Sequence, residues 1–133
     1  LESYGHQCTW SSDIEPRHKS IAKIDAFKLF ENPFVATCII TNPPWSLMRE
    51  FIKHSMTLAP NIVFLCTTNH FITKARLRDL RENGYALKEV YGVETPAAPW
   101  PASGFQLVAA HIQKDWGDTL TLTGTLKGLT KIK

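Results

Sequence analysis

Asn42-Pro43-Pro44-Trp45 is the stretch of this sequence whose residue types and spacing most clearly suit a chemical task. Its two prolines fix φ and remove two N–H donors, so the loop is stiff and presents carbonyl oxygens. Asn42 adds a side-chain acceptor and Trp45 a flat apolar face. An exocyclic amino group on an aromatic ring is a poor nucleophile, because its lone pair is delocalised into the ring. Two acceptors, the Asn42 side-chain oxygen and the Pro43 carbonyl, can take both of its N–H bonds. They then draw the nitrogen toward tetrahedral geometry and free the lone pair for attack on a sulfonium methyl. Trp45 can stack on the base, an interaction worth ~1–3 kcal/mol. A base inside a duplex has to be flipped out first or be single-stranded already. The same four residues also suit a plain turn that starts a helix, with Asn as cap and Pro in the first turn.

The elements around this loop support a positioning role. Before it, Val35 to Thr41 is a nearly continuous β-branched and apolar run, as expected of a parallel strand covered on both faces. After it, Ser46 to Leu58 carries Leu47, Met48, Phe51, Ile52, Ser55, Met56 and, just beyond, Ala59 at helical spacing, with Arg49, Glu50, Lys53, His54 and Thr57 on the other side. Loops at the carboxyl ends of strands are where open α/β sheets bind ligands. Ile62 to Thr67 reads as a second buried strand. Phe71 to Glu82 reads as a basic helix stopped by Asn83-Gly84, its Lys74, Arg76, Arg78 and Arg81 on a solvated face. Tyr85 to Glu94 and Phe105 to Gln113 are strand-like. They flank a loop with Pro96, Pro99 and Pro101 around Trp100, which suggests an antiparallel hairpin at one edge. Upstream, Cys8 to Ser12 and Ile21 to Phe27 read as short strands. The alternation predicts βαβ units and a mostly parallel sheet. Residues 1–118 are expected to form the domain, and 119–133 an edge strand or basic tail.

The chain has 133 residues, 44% apolar and 20% charged, with a formal charge of +3, which bounds it to one globular domain of mildly basic character. Cys8, Cys38 and Cys66 are odd in number and widely spaced, so buried thiols in a reducing, cytoplasmic setting are expected rather than a disulfide framework. His6, His18, His54, His70 and His111 show no ligand spacing, and no metal is expected. No apolar run approaches the ~20 residues of a membrane span.

Ile39-Ile40-Thr41-Asn42-Pro43-Pro44-Trp45 resembles the Asp/Asn-Pro-Pro-aromatic motif of the N6-adenine and N4-cytosine amino-methyltransferases, with prophage adenine methyltransferases as the nearest pattern. Ser12-Asp13-Ile14-Glu15-Pro16 resembles the end of that family's second strand, and Ile24-Asp25-Ala26-Phe27 its next motif. The resemblance implies a Rossmann-like class I methyltransferase sheet, mostly parallel with an antiparallel C-terminal hairpin. It implies S-adenosylmethionine as cofactor. Asp13 and Ile14 would lie against its ribose, Asp25 would accept from its adenine amino group, and Ala26 and Phe27 would wall that adenine. Asn42 would contribute to the cofactor site as well as to catalysis with Pro43, Pro44 and Trp45. Trp100 is expected either to wall the target base beside Trp45 or to pack on its own domain. The partner implied is nucleic acid, DNA first, with adenine N6 ahead of cytosine N4.

The family's first strand and its Gly-rich turn have no counterpart before Asp13. A sheet without its N-terminal strand is therefore expected, its open edge covered by a second copy or another partner. The alternative function is a catalytically inactive, methyltransferase-like module that binds nucleic acid or protein. A Rossmann-like protein of unrelated function ranks behind both.

Overall fold

The computed structural model describes residues 11–31, 36–94, 107–117 and 119–124. The chain divides into two compact units, residues 1–34 and 35–133.

In the first unit, strand β1 (Ser12–Asp13) pairs in parallel with β2 (Ala22–Lys23), Asp13 opposite Lys23. Backbone hydrogen bonds from Ala22 N to Ser11 O and from Ile24 N to Asp13 O, both 3.0 Å, flank the pair. The strand expected over 21–27 stops after two residues. The Asp25 carboxylate takes the Phe27 N–H at 3.0 Å and turns the chain into a 3-10 helix over Ala26–Glu31. A short acidic side chain competes in this way with a ladder for backbone donors.

The second unit is built on a five-stranded sheet of β3 (Cys38–Thr41), β4 (Asn61–Thr67), β5 (Tyr85–Gly92), β6 (Leu107–Lys114) and β7 (Thr121–Gly124), in the order β3-β4-β6-β5-β7. β3 runs parallel to β4 and β5 parallel to β7, while β6 is antiparallel to both its neighbours. With β1 and β2, three of the five described strand pairings are parallel, and β5 and β6 form the expected antiparallel hairpin. The hairpin is not at the edge, however. β6 inserts between β4 and β5, where Ala110 and Ile112 are fully buried.

Helix α1 (Met48–Ser55) connects β3 to β4, and α2 (Lys74–Glu82) precedes β5. Met48 and Ile52 of α1 and Leu80 of α2 pack with Ile62, Phe64 and Cys66 of β4 and with Ile112 in one core. Burying each large apolar side chain of this set contributes about 1.5–3 kcal/mol. β3, expected to be covered on both faces, lies at an end of the strand order, and its Ile40 is 56% exposed. β4 is covered unequally as well. Ile62, Phe64 and Cys66 are buried, whereas the alternating Asn61, Val63 and Leu65 are only half-buried. The helix expected over 46–58 is also shorter, a 3-10 turn over Trp45–Leu47 followed by α1. His54, assigned by spacing to its polar face, is buried, because the core-facing stripe of α1 is broad enough to include it. α2 starts at Lys74 rather than Phe71, since the Thr73 hydroxyl accepts the Arg76 N–H at 3.2 Å and caps it. It stops as expected: Gly84 has φ +76°, the left-handed conformation that glycine adopts most cheaply.

Cysteine burial splits. Cys66 is in the core, and burial pushes its thiol up to about 12. Cys38, expected to be buried, is exposed at the start of β3, an end member of the strand order. No helix among the described residues is long and apolar enough to cross a membrane.

Candidate functional site

β3 and β4 are in parallel register, Thr41 opposite Phe64, so their carboxyl ends lie side by side. β3 leads directly into Asn42. β4 leads, after Thr67, into a 3-10 turn over Thr68–His70. Both loops therefore emerge at the end of the sheet where α/β folds gather ligand-binding groups.

In the first loop, Pro43 is buried and anchors the chain, while Asn42, Pro44 and Trp45 are exposed. Pro44 is extended (φ −56°, ψ 126°), and its carbonyl accepts from Leu47 N at 2.9 Å. The Trp45 carbonyl accepts the Met48 N–H. The position before α1 is Leu47, with no side-chain cap, so Asn42 is not spent as a helix cap. Among the described residues, neither the Asn42 side chain nor the Pro43 carbonyl takes part in a hydrogen bond. Two adjacent acceptors are thus left presented on a stiff backbone, beside an indole that is 36% exposed.

The second loop brings His70 to Trp45, with ring centroids 6.1 Å apart and planes tilted by 51°. Partial burial, and then the nearby Arg76 cation, hold His70 below the ordinary imidazole range, so it is neutral at neutral pH. Arg76 donates from Nε to the His70 carbonyl at 3.0 Å, and its Nη1 lies 3.7 Å from Asp79 Oδ2. Asp79 is buried and binds Arg49 through two bonds, from Nε at 2.8 Å and Nη2 at 3.1 Å. The Arg49 hydrogen bond draws the Asp79 carboxyl below its usual range. This network ties α1 to α2 directly behind the two loops.

In the first unit, the β1–β2 pairing brings the two acids singled out in the sequence to the same end of one parallel ladder. Asp13 closes β1, and Asp25 follows Ile24, whose N–H is bonded to the Asp13 carbonyl. Asp13 Oδ1 accepts from Glu15 N at 2.8 Å and Asp25 Oδ1 from Phe27 N at 3.0 Å. Each carboxylate keeps its second oxygen clear of donors among the described residues. Ile14 is 62% exposed, and Asp25, Ala26 and Phe27 are half-buried.

Trp100 lies outside the described residues. In the basic helix, Lys74, Arg78 and Arg81 are exposed, and the Arg78–Glu82 pair spans 4.0 Å at the surface, where such pairs contribute little. Arg76 departs from the solvated face expected of it and turns inward to Asp79 and His70. A shallow groove of about 350 Å³ lies elsewhere, between α2, β5 and Trp116, and its lining mixes polar and apolar surface. Sequence reading missed His70 and the Arg49–Asp79 link. The one usable signal for His70 was its place just past the end of the strand after the Asn42 loop. Among the described residues, no cluster of His, Cys, Asp or Glu is arranged to hold a metal ion.

No protein-family profile and no curated protein sequence matches the chain. Among solved structures it is similar to M1.HpyAVI in complex with SAM, at 21% identity and a TM-score of 0.46, over 82% of this chain and 70% of that one. It is also similar to M1.HpyAVI without SAM, at 20% identity and a TM-score of 0.45, over 78% and 65%. A likeness of this size leaves function to be argued from the residues.

Proposed function

We propose that the chain takes part in S-adenosylmethionine-dependent methyl transfer to an exocyclic amino group, adenine N6 in DNA before any other target. The observation that carries this reading is the loop 42–45. Its two acceptors are held on proline-stiffened backbone, neither is hydrogen-bonded among the described residues, and an exposed indole stands beside them. A plain turn would have spent Asn42 as a cap, and it is not so spent.

The Asn42 side-chain amide oxygen and the Pro43 backbone carbonyl accept the two N–H bonds of the target amine. Trp45 stacks on the base, which must be out of a duplex to reach it. Positioning is the catalytic device, because an aligned nucleophile saves the entropy of a random encounter. After attack, the nitrogen releases its surplus proton to water.

The cofactor supplies the electrophilic sulfonium methyl when bound. The residues of the first unit fit its nucleoside end. Asp13 has a carboxylate oxygen available for ribose hydroxyls, Asp25 has one for the adenine amine, and Ile14, Ala26 and Phe27 offer apolar surface.

Isothermal titration of the full chain with S-adenosylmethionine, beside its Asp13→Ala variant, tests the reading. Micromolar binding that Asp13→Ala weakens, followed by methylation of an adenine-containing single-stranded DNA, is the expected result. A folded chain that binds no cofactor would instead favour the inactive, methyltransferase-like binding module.

A further inference from the structure

We propose that His70 is a positioning residue for Trp45, holding the indole plane at the angle on which a flat purine stacks. The inference rests on the methyl-transfer reading above and deepens it.

Trp45 opens a 3-10 turn at the surface, so its own backbone does little to fix the ring. Among the described residues, His70 is the ring that it meets, at 6.1 Å and 51°. These values fall in the range of tilted aromatic pairs, which attract beyond the area they bury. They leave no slot between the rings, since a base held between two rings needs roughly 7 Å between parallel planes, two contact distances. A base must therefore use the exposed part of Trp45, and His70 acts through the indole rather than on the substrate.

The support behind His70 closes on itself. Arg76 fixes the His70 carbonyl at 3.0 Å and reaches Asp79 at 3.7 Å. Asp79 holds Arg49 in two bonds, and Arg49 lies on α1 four residues beyond Trp45. The two rings thus sit on 3-10 turns just ahead of two helices, and those helices are clamped to each other by one buried carboxylate. His70 also meets the indole as a neutral ring at neutral pH.

The test is steady-state methyl transfer by the full chain to a single-stranded oligodeoxynucleotide containing one adenine. Wild type, His70→Ala, His70→Phe, Trp45→Ala and the double variant Trp45→Ala/His70→Ala are compared, each checked for folding by thermal melting. His70→Ala should raise KM for the oligonucleotide about tenfold and change kcat by less than about threefold, with cofactor affinity unchanged. His70→Phe should restore KM to within about threefold, because a flat ring suffices. The double variant should be no worse than Trp45→Ala alone. Wild-type KM in His70→Ala, no rescue by His70→Phe, or independent effects in the double variant would each overturn the proposal while leaving the methyl-transfer reading in place. A wild-type chain that neither binds the cofactor nor transfers a methyl group overturns both.

Discussion

The β3–β4 pair treats two of its asparagines, Asn61 and Asn42, in opposite ways. At its amino end, Asn61 spends its whole side chain on the fold. Its Nδ2 donates to the Thr37 carbonyl at 3.2 Å, and its Oδ1 lies 3.1 Å from His111 Nε2. Around it, the Pro60 carbonyl accepts from Lys114 N at 2.8 Å, and the Tyr85 hydroxyl lies 2.8 Å from both the Met56 and Ala59 carbonyls. At the carboxyl end, beside the neighbouring strand's exit, Asn42 and the Pro43 carbonyl enter no hydrogen bond among the described residues. One end is closed by its own polar groups; at the other, Thr67 Oγ1 donates to Asn69 Oδ1 just past β4, while the Asn42 side chain and the Pro43 carbonyl stay out of the hydrogen bonding among the described residues. Along one strand pair, then, one asparagine is taken up by the fold and another is not, a division natural to folds whose loops act and whose scaffold holds.

The largest effect that can break this comparison is on activity. Asn42→Ala should lower kcat for methyl transfer on the order of 10²–10³-fold, the cost typical of losing one pre-placed polar group at a reacting centre. The same variant should melt within about 0.5 kcal/mol of wild type, because the exposed side chain it removes makes no hydrogen bond among the described residues. Asn61→Ala should do the reverse and lose about 1 kcal/mol in denaturant unfolding with methyl transfer retained. If Asn42→Ala destabilises the chain as much as Asn61→Ala does, the two ends are not different in kind.

Gly84→Ala should cost about 1–2 kcal/mol by the same unfolding measurement, because an alanine there must adopt φ near +76°. The position is open, with Asp115 Oδ1 the nearest atom among the described residues at 4.0 Å from an added Cβ, so backbone strain rather than crowding sets the cost. Activity should be untouched.

The smallest effect concerns Asp79. Its folded carboxyl titrates below the unfolded value of about 3.9, so its contribution to stability is present above that pH and is lost as pH falls through the lower folded value. Asp79→Asn should therefore flatten the acid limb of a stability-versus-pH curve and leave the neutral limb parallel to wild type. The effect is modest because Arg49 is half exposed and solvent screens the pair. An unchanged acid limb would show that the α1–α2 clamp carries no linkage.

Much of this architecture was legible in the chain. The apolar run before Asn42 and the helical spacing after it located β3, α1 and the loop between them. Asn83-Gly84 marked the end of α2, where Gly84 takes up the positive φ. The β5–β6 hairpin was also legible, but not the insertion of β6 beside β4, since strand order depends on pairings across tens of residues that periodicity does not encode. The early end of β2 was hidden in a single side-chain hydrogen bond at Asp25, and the late start of α2 in another at Thr73.

By itself, the sequence determined the kinds of group on offer. Asn42 and the two prolines bring acceptors and stiffness, Trp45 brings a stacking surface, and Asp13 and Asp25 bring carboxylates at strand ends, because residue type and backbone restriction are local properties. Only the tertiary structure decided which groups are spent and which meet. Among the described residues it left Asn42 without a hydrogen bond while consuming Asn61, buried Asp79 between Arg49 and Arg76, and set His70 against Trp45 across 25 residues of sequence. Those outcomes follow from parallel pairing of β3 with β4, which sets two distant loops at one end of the sheet, and no local pattern records that pairing.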